Sequence, residues 1–378
     1  MKRISECRSC GSATLQVFLD LGNSPIADGL VRFPPPDEPD STYPLQVAFC
    51  AQCSLVQLME TLPPEQLFCR DYPYFSSVSR SWLDHSQRHA VELIEQRRLD
   101  ENSLVVEVAS NDGYLLRHFA ERRISVLGVD PAKGPARAAR ELGIETLDEF
   151  FGSEVAARLS RLGRKADVIL ANNVLAHVAD PLDFVQGLRT LLRKNGVVSI
   201  EIPYVRDLLD HLEFDTIYHQ HLCYFSLSSI SRLLKSADLY VQDVTRLTTH
   251  GGSLRIYAGT RNRPSQEVEK IARSEYETGL DQFGYYKNFS RLVDANCARL
   301  MSLLNSLKSS GNRIVGYGAA AKACTLLNYC GIDTEILAYL ADLNPNKHGK
   351  LMPGVRIPIV PAERLTIDRP DYVLLLAW

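Results

Sequence analysis

The feature that most constrains this chain is a matched pair of cysteine spacings near its start, Cys7-x2-Cys10 and Cys50-x2-Cys53. A C-x2-C turn presents two thiolates at a span that fits two corners of a tetrahedron. Two such turns make a closed four-cysteine zinc site with no position left open for chemistry. The link between the pairs is longer than a common zinc ribbon needs, so it must carry structure of its own, and 15–21 and 43–49 read as strands. A module this small cannot hold itself together by core burial, so bound metal is expected to be its main source of stability. A redox role for the pairs is disfavoured, because no βαβ pattern follows Cys7. Cys69, Cys223, Cys297, Cys324 and Cys330 have no ligand spacing and are expected to behave as ordinary small hydrophobes.

The chain has 378 residues, 45% of them apolar and 23% charged. That suits a globular protein of two or three domains. The formal net charge of -3 argues against a partner held by a basic surface, so no nucleic acid is expected. The first residues lack an apolar h-region, and no apolar run approaches the ~20 residues that span a bilayer. The expectation is a cytoplasmic protein with no membrane contact, in a reducing setting where thiols stay reduced or bind metal.

From 79 onward the pattern alternates. A helical period over 79–98 precedes strands at 104–109, 125–129, 167–171 and 196–202, with helices between them, one of them starting at Tyr114. This predicts an α/β fold with a parallel sheet covered on both faces. Ligands in such sheets bind beyond the carboxyl ends of the strands. Two ends carry ligand chemistry. The turn Glu107-Val-Ala109-Ser-Asn111-Asp112-Gly113 is built of small and acidic residues, and Asp130 closes the next strand, placed to accept hydrogen bonds from ribose hydroxyls. The turn departs from G-x-G-x-x-G at Ala109 and Asn111, and its acidity suits a cation carrying an adenosine, S-adenosylmethionine, better than a pyrophosphate. Asn172 and Asn173 end a third strand and complete this expected cofactor set.

The whole chain resembles the zinc-containing sugar C-methyltransferases of deoxysugar biosynthesis. The resemblance rests on the two cysteine pairs, Tyr72-Pro-Tyr-Phe-Ser-Ser77, the 107–113 turn, Asn173-x-Leu-Ala-His177-Val, Tyr218-His-Gln-His221, His250-Gly-Gly-Ser-Leu-Arg255 and Val315-Gly-Tyr-Gly-Ala-Ala-Ala-Lys322. It implies a Rossmann-like class I methyltransferase domain. It also implies methyl transfer to the carbon beside the ketone of a dTDP-linked 4-keto-6-deoxy sugar. Carbon needs a base to become nucleophilic, and a donor to steady the enolate oxygen. The resemblance makes His221 the base and Tyr218 the hydroxyl donor, with His177 lining the same cleft; Tyr72 is expected to cover the cofactor or reach the sugar, with a plain aromatic plug as the competing reading. Spacing alone does not choose between His219 and His221. The family usually has Glu where this chain has Gln220, an amide that cannot take a proton.

The expected units are a zinc-binding module at 1–78, the methyltransferase domain at 79–262, and a helical segment with a C-terminal Rossmann-like domain at 263–378. The last unit is expected to be cut short, since no helix follows its final strand. Tyr317, Gly318, Ala319 and Lys322, at a strand-to-helix turn, are candidates for the substrate diphosphate, with Arg255 and Lys347 as further cations. A dehydrogenase holding NAD at this turn, and a non-catalytic zinc-bearing module, are the competing readings.

Overall fold

The computed structural model describes residues 1–67 and 75–377. Tyr72, Cys69 and Trp378 therefore lie outside the described residues. The N-terminal module is an antiparallel sheet of Leu15–Pro25, Thr42–Cys50 and Val56–Leu58. Its fourth strand, Cys223–Tyr224, comes from far along the chain and pairs with Val56 and Gln57. The buried faces of these strands join the main core rather than forming one of their own. Phe18 and Phe49 pack on Tyr286, with ring centroids 5.1 and 4.7 Å apart.

The central sheet holds β1 (Leu104–Val108), β2 (Ser125–Val129), β3 (Thr146–Leu147), β4 (Ala166–Asn172), β5 (Leu192–Pro203), β6 (Tyr240–Leu247) and β7 (Ser253–Gly259). Their spatial order is β3-β2-β1-β4-β5-β7-β6. The first five run parallel, and β7 lies antiparallel to both β5 and β6. The nearly unbroken apolar runs of β1 and β4 are those of strands covered on both faces. Ser79 caps the helix Arg80–Arg97 by accepting a hydrogen bond from Trp82 N, and Arg98 ends it in the left-handed conformation. The helix expected from Tyr114 starts later, at Arg117–Ala120. Gly113 (φ +76) turns the chain first, where a Cβ would come within 3.2 Å of Ile144.

Residues 263–378 contribute to two cores. The helix Gln266–Thr278 and the first half of Phe289–Ser309 bury Val268, Ile271, Phe289 and Val293 in the core shared with the central sheet. A second parallel sheet follows: β8 (Ile314–Tyr317), β9 (Leu340–Asp342), β10 (Ile359–Pro361) and β11 (Tyr372–Leu375), in the order β10-β9-β8-β11. The N-terminal module is stitched to it. Val31 and Arg32 pair with Leu351 and Lys350, Asp40 accepts from the Arg356 guanidinium at 2.8 and 3.0 Å, and Ala27 and Leu30 pack in the C-terminal core.

The cysteine expectation needs one correction. Cys297 and Cys330 are joined as a disulfide, their Cα atoms 5.4 Å apart. Residues 33 positions apart meet because the helices Phe289–Ser309 and Ala321–Cys330 pack side by side, which no ligand spacing could reveal. No helix among the described residues is long and apolar enough to cross a membrane.

Candidate active site

At the carboxyl ends of β1 and β4 the backbone adopts a conformation that side chains disfavour. Ala109 (φ 57), Asn111 (φ 49) and Asn173 (φ 52) are all left-handed. Asn tolerates this, whereas Ala does so at a cost of about 1–2 kcal/mol, and such strain persists where surrounding structure enforces it. Ala109 N and Asn173 N each donate to a neighbouring strand carbonyl, Val129 O and Glu201 O, at 2.7 Å. Asp130, at the end of β2, holds Asn111. Its Oδ2 accepts from Asn111 N and its Oδ1 from Ala132 N, each at 2.8 Å. Burial raises this carboxyl to about 6, opposed by those two amides.

These strand ends open on a cavity of about 570 Å³. Ala109, Asn111, Asp130, Asn172 and Asn173 line one half of it, together with the rings of Trp82, Tyr114 and Phe151. Glu107, Asp112 and Gly113 do not line it; they are buried behind the turn. There Asp112 Oδ2 and Asn111 Oδ1 accept from Ser77 N and Ser76 N at 3.2 and 2.9 Å. The Oδ1 atoms of Asn172 and Asn173 are buried without a hydrogen-bond partner among the described residues. Unpaired buried acceptors, a carboxylate at the ribose position and aromatic walls fit a ligand that brings donors, an adenosine and a positive charge.

The other half holds the imidazoles. His221 Nδ1 lies 2.9 Å from Thr216 O. A carbonyl only accepts, so Nδ1 carries the proton and Nε2 is left as the basic nitrogen. The Tyr218 hydroxyl donates to that Nε2 at 2.9 Å. His177 donates from Nδ1 to Gln220 O at 2.7 Å, and its ring centroid is 4.8 Å from that of His221. Burial pushes the His221 pKa well below its usual value, and the neighbouring His177 adds to this. His177 is lowered too, again by burial. Both rings are therefore held neutral, as a base must be.

Spacing could not separate His219 from His221, but the fold does. His219 is 1% exposed and turned toward the N-terminal module, its Nε2 3.1 Å from Pro44 O. The loop bearing His221 is held from three sides. Leu222 N donates to Ala176 O (2.7 Å), Leu58 N to Leu222 O (2.9 Å) and Thr325 Oγ1 to Ile217 O (2.8 Å).

The expected phosphate set is displaced. Ala320, Ala321 and Lys322, at the N-terminus of the helix Ala321–Cys330, line the cavity, but Tyr317, Gly318 and Ala319 do not. The turn is closed by its own neighbours: Asp342 Oδ2 accepts from Ala319 N at 2.7 Å, and Lys347 Nζ donates to Ala319 O at 2.8 Å. Arg255 is also corrected. It is 5% exposed, absent from the cavity wall, and bound to the buried Glu201 at 3.0 and 3.2 Å. Trp82, Phe151 and Asp28 line the cavity without having been singled out, because nothing in their local sequence marks them. A second depression of about 380 Å³, around Arg97, Lys194 and Arg261, lies at the far end of β5 and contains no imidazole or carboxylate.

The four N-terminal cysteines also come together. Cys7 and Cys53 Sγ are 3.5 Å apart, Cys10 and Cys50 Sγ 3.7 Å, and all four lie within 4.8 Å of one another. Tetrahedral zinc with ~2.3 Å bonds requires sulfur separations of roughly 3.8 Å, so the set fits the metal. Gln57 Nε2 donates to Cys7 Sγ at 3.1 Å, a supporting contact of the kind that orients metal ligands.

Comparison with known proteins agrees with this geometry. The chain is 32% identical to C-methyltransferase NovU of Streptomyces niveus over 383 aligned positions, covering 100% of this chain and 90% of that protein. This chain belongs to the zinc-containing C-methyltransferase family. Family models described as a zinc binding domain, a methyltransferase domain and a C-methyltransferase C-terminal domain match 7–68, 80–244 and 248–378. A ubiquinone biosynthesis O-methyltransferase of Histophilus somni is 29% identical over 37% of this chain and 63% of its own length. Among solved structures, the PH0226 protein of Pyrococcus horikoshii matches 53% of this chain and 100% of its own at 14% identity, with a TM-score of 0.41. This C-methyltransferase therefore carries a class I methyltransferase domain, uses S-adenosylmethionine and has a four-cysteine zinc site.

Proposed function

We propose that the acceptor is a nucleotide-linked 4-keto-6-deoxy sugar, dTDP-linked by resemblance, methylated at the carbon beside its ketone. The observation that carries this is the fixed tautomer of His221, whose basic Nε2 is held next to a phenol. In this reading Nε2 removes the proton from the carbon beside the ketone. The C–H electron pair shifts to the ketone oxygen, and the Tyr218 hydroxyl turns its hydrogen bond from Nε2 to the resulting enolate. S-adenosylmethionine, when bound, supplies an electrophilic methyl group. His177 holds the Gln220 carbonyl and with it the loop. Lys322 and the helix N-terminus beside it take the diphosphate. Such an enzyme works in the cytoplasm on a small molecule, without nucleic acid or membrane.

The test is mass spectrometry of products from dTDP-4-keto-6-deoxyglucose and labelled cofactor, with deuterium exchange at the neighbouring carbon followed in parallel. Wild type is expected to add one methyl group, and His221→Asn to lose the exchange. Unchanged exchange in that variant sinks the base assignment. Gln220→Glu is expected to bring no gain in rate, since the His221 tautomer depends on Thr216 and not on residue 220; a large gain counts against His221 acting without a carboxylate at 220.

A further inference from the structure

Asp28 stands apart from the cavity's other carboxylates because it comes from the N-terminal module. It lies just past the strand Leu15–Pro25, on a loop whose Ala27 and Leu30 plug into the C-terminal core. Its Oδ2 accepts from Gln220 Nε2 at 3.2 Å. Asp28 itself lines the cavity. Because the Gln220 amide nitrogen must face the carboxylate, its Oε1 points elsewhere, and that oxygen is buried and unpartnered. Asp28 thus presents a carboxylate to the cavity beside the imidazole loop, held there by the Gln220 amide. A carboxylate only accepts hydrogen bonds, so the site calls for a ligand that brings donors.

We propose that Asp28 and Gln220 form a hydroxyl-binding subsite for the acceptor sugar, so that the zinc module supplies a substrate-specificity residue as well as a fold. The donors are hydroxyls rather than an ammonium group. Gln220 is neutral, and Lys347, which lines the same cavity, already places a positive charge against Asp28. Burial raises the Asp28 carboxyl, and Lys347 opposes that rise. A second cation would meet the Lys347 charge, whereas a hydroxyl would not. The module also lends its sheet to Cys223–Tyr224, directly after the imidazole loop. One small metal domain therefore fixes both sides of the subsite.

This inference rests on the keto-sugar reading, and the experiment separates the two. Calorimetry is run with dTDP-4-keto-6-deoxyglucose and with dTDP, on wild type, Asp28→Ala and the isosteric Asp28→Asn, each checked for full zinc content. Asp28→Ala is expected to weaken the sugar nucleotide at least about tenfold, the lower end for a hydrogen bond to a charged group. Affinity for dTDP and for S-adenosylmethionine should stay unchanged. Asp28→Asn should weaken the sugar nucleotide less than Ala does. Equal weakening of dTDP, or unaltered sugar-nucleotide affinity in both variants, overturns the subsite. Failure of wild type to bind the sugar nucleotide overturns the keto-sugar reading, and the subsite with it.

Discussion

Arg255→Met is expected to unfold the central sheet more easily while leaving the nucleotide site intact. Glu201, in β5, is fully buried, with His85 Nε2 3.0 Å from both carboxylate oxygens and the Arg255 guanidinium at 3.0 and 3.2 Å. Burial works to raise this carboxyl, but the His85 hydrogen bonds and the Arg255 charge overcome it and hold the pKa at about 2 rather than 4.5. That difference corresponds to roughly 3 kcal/mol. That figure belongs to the whole network, His85 first and Arg255 second; breaking a buried pair from one side costs about 3–5 kcal/mol, so a loss near 3 kcal/mol is expected at pH 7. The folded pKa lies below the unfolded one. The stabilisation is therefore present above about pH 4.5 and fades as the pH falls toward 2, and the gap between wild type and variant should narrow in acid.

Urea unfolding reads this directly. Trp82 stacks on His85, with ring centroids 4.9 Å apart, so in a Trp378→Phe background its fluorescence reports on the network. Replacing both partners, Glu201→Gln with Arg255→Met, should recover most of the loss, because no charge is then left buried alone. A single-variant loss under about 1 kcal/mol, or a double variant as costly as the two singles summed, refutes the reasoning. A large drop in dTDP affinity of the folded Arg255→Met protein restores Arg255 to the phosphate site.

The remaining expectations are simpler to read. Removing zinc with a chelator, or by Cys53→Ser, should abolish activity and expose the N-terminal module to proteolysis. Structural zinc contributes about 10–16 kcal/mol in small metal domains, more than such a module can replace; persistent resistance to protease without metal contradicts this. The lowered His221 pKa places its basic form across neutral pH, so the acid limb of kcat should fall below pH 6.5. An acid limb above pH 7 excludes His221 as the group observed. Denatured, metal-stripped protein prepared without reductant should titrate two fewer thiols than the nine in the sequence; nine titratable thiols rule out the Cys297–Cys330 bond.

What was legible in the sequence is chemistry set by neighbours along the chain. Cys-x2-Cys spacing determined the metal site, because a thiolate pair on one turn has its geometry built in. Apolar runs closed by Asn, Asp and small residues located the turns that open on the cavity, since a strand's carboxyl end and the following loop are local. The histidine-rich loop was visible too, but only as a set. That His221 lines the cavity while His219 turns to the Pro44 carbonyl is a fact of folding rather than of spacing.

The same reason separates the rest. Arg255 read as a cation free for phosphate until β7 paired with β5 and set it against Glu201. Cys297 and Cys330 read as unrelated thiols until two helices packed together. Asp28 carried no signal at all. It became part of the cavity because the zinc module pairs with strands on both sides of it, Cys223–Tyr224 after the imidazole loop and Lys350–Leu351 in the C-terminal part. The sequence by itself determined which groups the protein possesses and where the backbone turns. Tertiary structure alone decided which of them are neutralised and which face the cavity, because pairing energies and burial depend on distances between segments far apart in the chain.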